Sequence, residues 1–227
     1  MSLMLKILLY IVIPLAGYFI GSINNAVIMS VNYFQKDVRH YGSKNAGGTN
    51  TSRVFGRRAG LIVIFLDILK SVVVYWGINL LFLFTNLGNH LDFNIVIHTA
   101  VFLAAVGHCY PVYYKFKGGK AVSVVAGFVI STNWFLTLLG IAIFLSVLFS
   151  TKIVSLSSLI MAVIVPVVSF VLTIESVSRV TFWPLANNNL AFYIPTLFLL
   201  AFLLIAKHHE NIGRLMRGEE NKITDRK

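Results

Sequence analysis

Charged side chains are scarce in this chain: Asp, Glu, Lys and Arg make up 12% of its 227 residues, against 57% hydrophobic. A water-soluble domain carries about 25% charged residues, so lipid is the solvent that fits this composition. Acidic residues are rarer still, 8 against 19 Lys and Arg, for a formal net charge of +11. In a lipid-embedded chain that excess collects in cytoplasmic loops facing anionic headgroups, so it is not read as a nucleic-acid signal. The single cysteine, Cys109, excludes an internal disulfide. The histidines show no paired ligand spacing with carboxylates, so no metal site is expected. No small-x-small cleavage site followed by a polar chain succeeds the apolar start, which is therefore read as a retained helix and not a signal peptide. Neither an internal repeat nor a soluble domain is visible, and 1–227 is read as one transmembrane domain.

What the chain has in abundance is apolar runs, at 3–20, 59–84, 94–113, 121–131, 134–150, 153–173 and 189–206. A spanning helix needs about 20 residues, and most of these qualify. The run at 121–131 is short, and is expected to start deeper by borrowing from the Lys-Gly-Gly-Lys segment before it. Residues 21–34 hold Gly21, Asn24, Asn25 and Asn32, which suggests an unwound break followed by an interfacial helix. If all seven runs span, loops 36–58, 114–120 and 151–152 and the tail from 207 share one side, with 16 of the 19 Lys and Arg residues. Lys6 and Arg179 fall on the other side, and Lys70 lies within a run. The expected fold is therefore an all-α integral membrane protein of about seven transmembrane helices, N-terminus outside, C-terminus cytoplasmic, with its polar motifs at the cytoplasmic face.

Four polar segments carry the candidate chemistry. Residues 37–53 contain glycines at 42, 47 and 48, which let the backbone turn tightly. They also carry Ser43, Asn45, Thr49, Asn50 and Arg53, donors suited to phosphate oxygens. Gly118-Gly119-Lys120, ahead of a helix start, reads as a phosphate cradle of backbone N–H groups and helix dipole. Taken alone it matches no Walker pattern. Ser155-Leu156-Ser157-Ser158 opens a helix and could serve as caps. His208-His209-Glu210-Asn211 follows the last apolar run, where His208 could serve the helix dipole. Arg57, Arg58, Lys207 and Arg217 suit headgroup anchoring. Asp67 and Lys70, three residues apart inside an apolar run, read as an ion pair on one helical face. His108 is poorly placed to activate the adjacent Cys109, since neighbours on a helix point about 100° apart.

Together the four segments resemble the acyl-phosphate-dependent glycerol-3-phosphate acyltransferases of bacterial membranes, the PlsY family. The resemblance is carried by Gly21-Ser22-Ile23, Asp37-Val38-Arg39, Gly42-Ser43, Asn45, Gly47, Thr49-Asn50 and Arg53. It continues through Gly107-His108, Pro111-Val112, Phe116-Lys117-Gly118-Gly119-Lys120, Ser155-Leu156-Ser157-Ser158, His208 with Asn211-Ile212, Arg214-Leu215 and Gly218-Glu219. It implies seven helices and a site open to the cytoplasm, with Ser43, Arg53, Lys120, His208 and Asn211 gathered around the substrate phosphates. Gly118 and Gly119 would add backbone amides, and Asn45, Thr49 and Asn50 further donors. The implied reaction moves a fatty acyl group from acyl phosphate to the 1-hydroxyl of glycerol 3-phosphate, the first step of phospholipid synthesis, with Ser43, Arg53, Lys120 and His208 as catalytic residues. No metal or other cofactor is implied, membrane lipid is the surrounding partner, and the chain is expected to act as a monomer. Asn24, Lys44, Gly48 and Ala121 depart from the family pattern, which typically has Pro, Gly, Ala and Gly there. No histidine begins a His-x-x-x-x-Asp pattern, so the other glycerolipid acyltransferases are unsupported. A transporter of a small organic phosphate is the alternative, suggested by the helix number, the broken segments and the internal charges.

Overall fold

The computed structural model describes residues 1–173 and 190–223; Arg179 lies outside the described residues. Every regular element among these is helical. Contacts divide the chain into two units, Met1–Ser131 and Thr132–Lys227.

In the first unit, α1 (Leu3–Ser22) ends at Ile23 and Asn24, and α2 (Asn25–Phe34) follows at once. The expected break is present, and Asn24 makes it by capping α2, its side chain accepting from the Val27 N–H. A short 3₁₀ turn (Val38–His40) leads to α3 (Gly48–Phe55), α4 (Arg57–Phe84), α5 (Phe93–Cys109) and α6 (Val122–Thr132). α1 packs along α5. Gly17 and Gly21 present a small-residue face to the backbone of Ala100 and Ala104, and Gly107 presents one to Tyr18 and Ser22. A β-carbon at any of the three would overlap the opposing backbone, so the close approach depends on them. The ends of this pair are tied by Tyr18 Oη donating to Tyr110 O and by Asp92 N–H donating to Tyr10 Oη.

The second unit holds α7 (Trp134–Thr151), α8 (Val154–Val171), α9 (Leu190–Lys207) and α10 (His209–Met216). Here α8 packs against both α7 and α9.

Six helical spans among the described residues are long and apolar enough to cross a membrane: Leu3–Phe34, Arg57–Phe84, Phe93–Tyr114, Trp134–Thr151, Val154–Val171 and Leu190–Lys207. Their outer faces leave Leu83, Phe84 and Phe202 more than 70% exposed, which water would oppose and lipid accepts. The remaining apolar run, 121–131, forms the 11-residue α6, too short for that criterion. It does not borrow from the Lys-Gly-Gly-Lys segment as expected. Lys115, Phe116 and Ala121 have φ of 55°, 59° and 62°, so the backbone before Val122 is left-handed and cannot continue a right-handed helix.

Candidate active site

The loop between α2 and α3 is built around one buried amide. Asn50, fully buried at the start of α3, accepts from the Ser43 N–H at 2.8 Å through Oδ1. Its Nδ2 faces the carbonyls of Val38, Tyr41 and Asn45 at 3.1, 3.0 and 3.1 Å. The side chain is thus turned inward and shapes the loop, while Ser43, Asn45, Thr49 and Arg53 stay half-buried at its surface. Lys44 sits at φ 59°, the region glycine tolerates, which accounts physically for glycine in the family pattern. No side chain caps α3, so its first-turn N–H groups have no intrahelical partner. A β-carbon at Gly48 would overlap Ile64 of α4, so the family's Ala would not fit beside that side chain. Under the loop lies a small apolar core of Ala26, Val27, Val38, Ala46 and Val63, with Met29, Phe55 and Tyr114 packed on it.

Asp37 and Arg39 clamp the loop's near end. Arg39 Nη2 lies 2.6 Å from Asp37 Oδ2, and Arg39 Nη1 donates to Tyr114 O at 3.1 Å, joining this loop to the segment after α5. The hydrogen bond from Arg39 holds the Asp37 carboxyl below the usual carboxylate range, and the same bond raises Arg39. A depressed carboxyl contributes stability above its unfolded pKa and loses it as pH falls through the folded value. Between about pH 5 and pH 3 the wild type should therefore lose melting temperature faster than Asp37→Asn, and the two should run parallel above about pH 6. Parallel curves over the whole range would show that the clamp carries no linkage.

The second polar loop follows α5. Gly119 N–H donates to His108 O at 3.0 Å, folding the loop back over the end of that helix. A β-carbon on Gly118 would overlap His108 O, and one on Gly119 would run into the His108 imidazole. Gly119 is buried, Gly118 and Lys120 are half-buried, and α6 starts at Val122. Ala121, fully buried at φ 62°, occupies a second left-handed position where the family pattern has glycine. Cys109 is fully buried. Asp67 and Lys70 form the expected ion pair on α4, 2.9 Å apart.

In the second unit, Ser157 and Ser158 donate back to the carbonyls of Ile153 and Val154, so neither caps α8; Ser155 Oγ is buried without a hydrogen-bond partner. His208 stands between α9 and α10, with Nδ1 2.7 Å from Leu204 O. A carbonyl only accepts, so Nδ1 carries the proton and a neutral ring keeps its lone pair on Nε2. Asn211 Nδ2 donates to Glu220 Oε1 at 2.7 Å, and Arg214 Nε to Glu220 Oε2 at 2.8 Å. Glu219, which belongs to the motif that carries the family resemblance, is exposed and pairs with Arg217, whereas the neighbouring Glu220 is buried. Glu220→Ala takes this carboxylate from the buried Asn211 amide and from the partly exposed Arg214, and should lower stability by about 1–3 kcal/mol, whereas Glu219→Gln should change it by less than about 0.5 kcal/mol. Equal thermal shifts for the two variants would refute the distinction.

Comparison with known proteins gives these loops a context. A family model described as glycerol-3-phosphate acyltransferase matches residues 11–218. The glycerol-3-phosphate acyltransferase of Mycoplasmopsis synoviae (strain 53) is 37% identical over 229 residues, covering 100% of both chains. That of Staphylococcus carnosus (strain TM300) is 36% identical over 216 residues, covering 95% of this chain and 98% of its own. The crystal structure of PlsY (YgiH), an integral membrane glycerol 3-phosphate acyltransferase, in its glycerol 3-phosphate form, matches with a TM-score of 0.73 at 26% identity, over 94% of this chain and 95% of that one. The lysophosphatidic acid form matches with a TM-score of 0.74 at 25% identity, over 94% of each chain. Because the match runs from the first helix to the last polar segment and takes in every loop described above, this chain belongs to the glycerol-3-phosphate acyltransferase family and is a multi-pass membrane enzyme.

Proposed function

We propose that this enzyme transfers a fatty acyl group from acyl phosphate to the 1-hydroxyl of glycerol 3-phosphate, releasing lysophosphatidic acid and phosphate at the cytoplasmic face of a bacterial membrane. The observation that carries the reading is the glycine loop folded over His108, where residues 118 and 119 pack too closely on that residue to carry side chains and set the half-buried Lys120 just ahead of α6. Support for the acceptor comes from relatives named for glycerol 3-phosphate and from a structural neighbour in a glycerol 3-phosphate form. The basic loops support the orientation, with N-terminus outside and C-terminus cytoplasmic, and seven crossings if the 11-residue α6 counts as one.

Acyl phosphate is a mixed anhydride with a good leaving group, so no acyl-enzyme is needed. The hydroxyl oxygen attacks the carbonyl carbon, the bond from that carbon to the bridging oxygen breaks, and phosphate departs with the bridging oxygen and the electron pair. Lys120, Arg53 and the amide of Gly118 stabilise the charge that gathers on the leaving phosphate; the Gly119 N–H, expected to join them, is committed to His108 O and holds the loop instead. Ser43, Asn45, Thr49, His208 and Asn211 orient the two phosphate-bearing substrates, which converts a bimolecular encounter into a positioned reaction. Asn50 serves indirectly, by holding the loop that presents Ser43. The hydroxyl proton passes to His208 Nε2 or leaves with the substrate phosphate, and a pH–rate profile unchanged in His208→Ala selects the second route. All the proposed donors come from a single chain, so a monomer suffices.

Donor choice tests the proposal. With glycerol 3-phosphate as acceptor, palmitoyl phosphate should give lysophosphatidic acid and palmitoyl coenzyme A should give none. Product from the thioester at a comparable rate would overturn the acyl-phosphate assignment. The family match is to acyltransferases, so the transport alternative is not carried further.

A further inference from the structure

The buried charges of α4 take no part in the chemistry above, yet they touch residues of α1, α2 and α5 that in turn contact both polar loops of the first unit. Asp67 and Lys70 are 2% and 7% exposed in the middle of a membrane-spanning helix, where ionised groups are retained only for a purpose. Beyond its pairing with Asp67, Lys70 Nζ donates to Ile23 O at 2.7 Å and Gly21 O at 3.3 Å. These carbonyls lie where α1 ends and have no helical N–H to accept from. The same ammonium reaches His108 Nδ1 at 3.2 Å, and because an ammonium has no lone pair, Nδ1 accepts. The Asp67 oxygen that faces Lys70, Oδ1, also accepts from Nδ2 of Asn25, the first residue of α2, at 2.9 Å. The neighbouring Asn24 donates to Ala46 O at 3.5 Å, inside the loop that bears Ser43. Across the cluster, the edge of the His108 ring is the wall against which Gly119 rests.

We propose that Asp67 and Lys70 are positioning residues whose buried ion pair fixes His108 and the α1–α2 break together, and so sets the register of the 42–53 loop and the 118–120 loop on the substrate phosphates. Neither residue touches substrate. The inference rests on the acyl-transfer reading above, and wild-type activity in the same assay is its control: without wild-type product that reading fails first. A buried pair kept for stability alone is replaceable by apolar side chains of similar volume, often at no loss of stability. A pair that positions two loops is not.

The double variant Asp67→Leu/Lys70→Met therefore separates the roles, since it leaves no orphan charge. Purified in detergent, it should still melt cooperatively, at a temperature lowered by the backbone carbonyls that Lys70 leaves unmatched, while its kcat falls roughly 10- to 100-fold, the loss expected from about 1 Å of misplacement. A folded double variant with kcat within about threefold of wild type would overturn the proposal. A second cycle decides the matter independently of how that variant folds. Gly119→Ala should lower kcat/KM by about tenfold or more alone, because its methyl meets the imidazole. In a His108→Ala background, where the methyl has room, the same change should cost less than about threefold. Losses that multiply across the cycle would show that His108 does not set the loop, and the proposal would fall.

Discussion

Lys120→Ala is expected to lower kcat by about 10²- to 10³-fold while leaving the melting temperature close to wild type. Removing one preorganised donor to a developing oxyanion typically has that effect, and Lys120 brings a full charge to a half-buried position. The loop that carries it is held by other groups: Gly119 N–H on His108 O, and Pro111 O accepting from Phe116 N–H at 2.9 Å. Truncation therefore removes the ammonium without collapsing its support. Lys120→Arg keeps the charge but replaces a compact ammonium with a planar fork, and should recover only part of the lost rate. A variant that folds and retains kcat within about threefold would remove Lys120 from the chemistry.

Asn50→Asp is expected to be more damaging than Asn50→Ala, although it is nearly isosteric. The wild-type amide is acceptor to one backbone N–H and donor to three carbonyls. Alanine leaves those groups unmatched, at about 1–3 kcal/mol for each that stays dry. Aspartate keeps the acceptor for Ser43 N–H but turns a carboxylate toward the carbonyl oxygens of Val38, Tyr41 and Asn45, adding repulsion to the lost bonds. Both variants should lose activity together with thermal stability, in the order wild type, Ala, Asp. If Asn50→Asp melts above Asn50→Ala and keeps activity, Asn50 faces substrate and does not build the loop.

Much of the fold was legible because lipid imposes a simple rule on sequence. Long apolar runs must be helices, since only a helix satisfies its own backbone there, and the runs at 59–84, 134–150 and 189–206 became α4, α7 and α9 within a few residues. The break after Ser22 was readable from Gly21 and the paired asparagines. What eluded the sequence was direction. Whether Asn50 points out to an anion or in to its own backbone depends on tertiary geometry, and a motif rich in donors looks the same either way. The left-handed φ of Ala121 was hidden because alanine normally favours helix, so α6 was extended backward into a loop that could not join it. Glu220 was overshadowed by Glu219 next to it, and only packing tells a buried carboxylate from an exposed one.

The central claim is a direct transfer between two phosphate-bearing substrates, and product stoichiometry tests it most directly. Purified protein in detergent, where no gradient exists, is given palmitoyl phosphate and glycerol 3-phosphate, and lysophosphatidic acid and inorganic phosphate are followed together. The account predicts both products in equal amounts from the first turnover, and neither when glycerol 3-phosphate is omitted. Phosphate released without lysophosphatidic acid, or no product from folded protein, would contradict it.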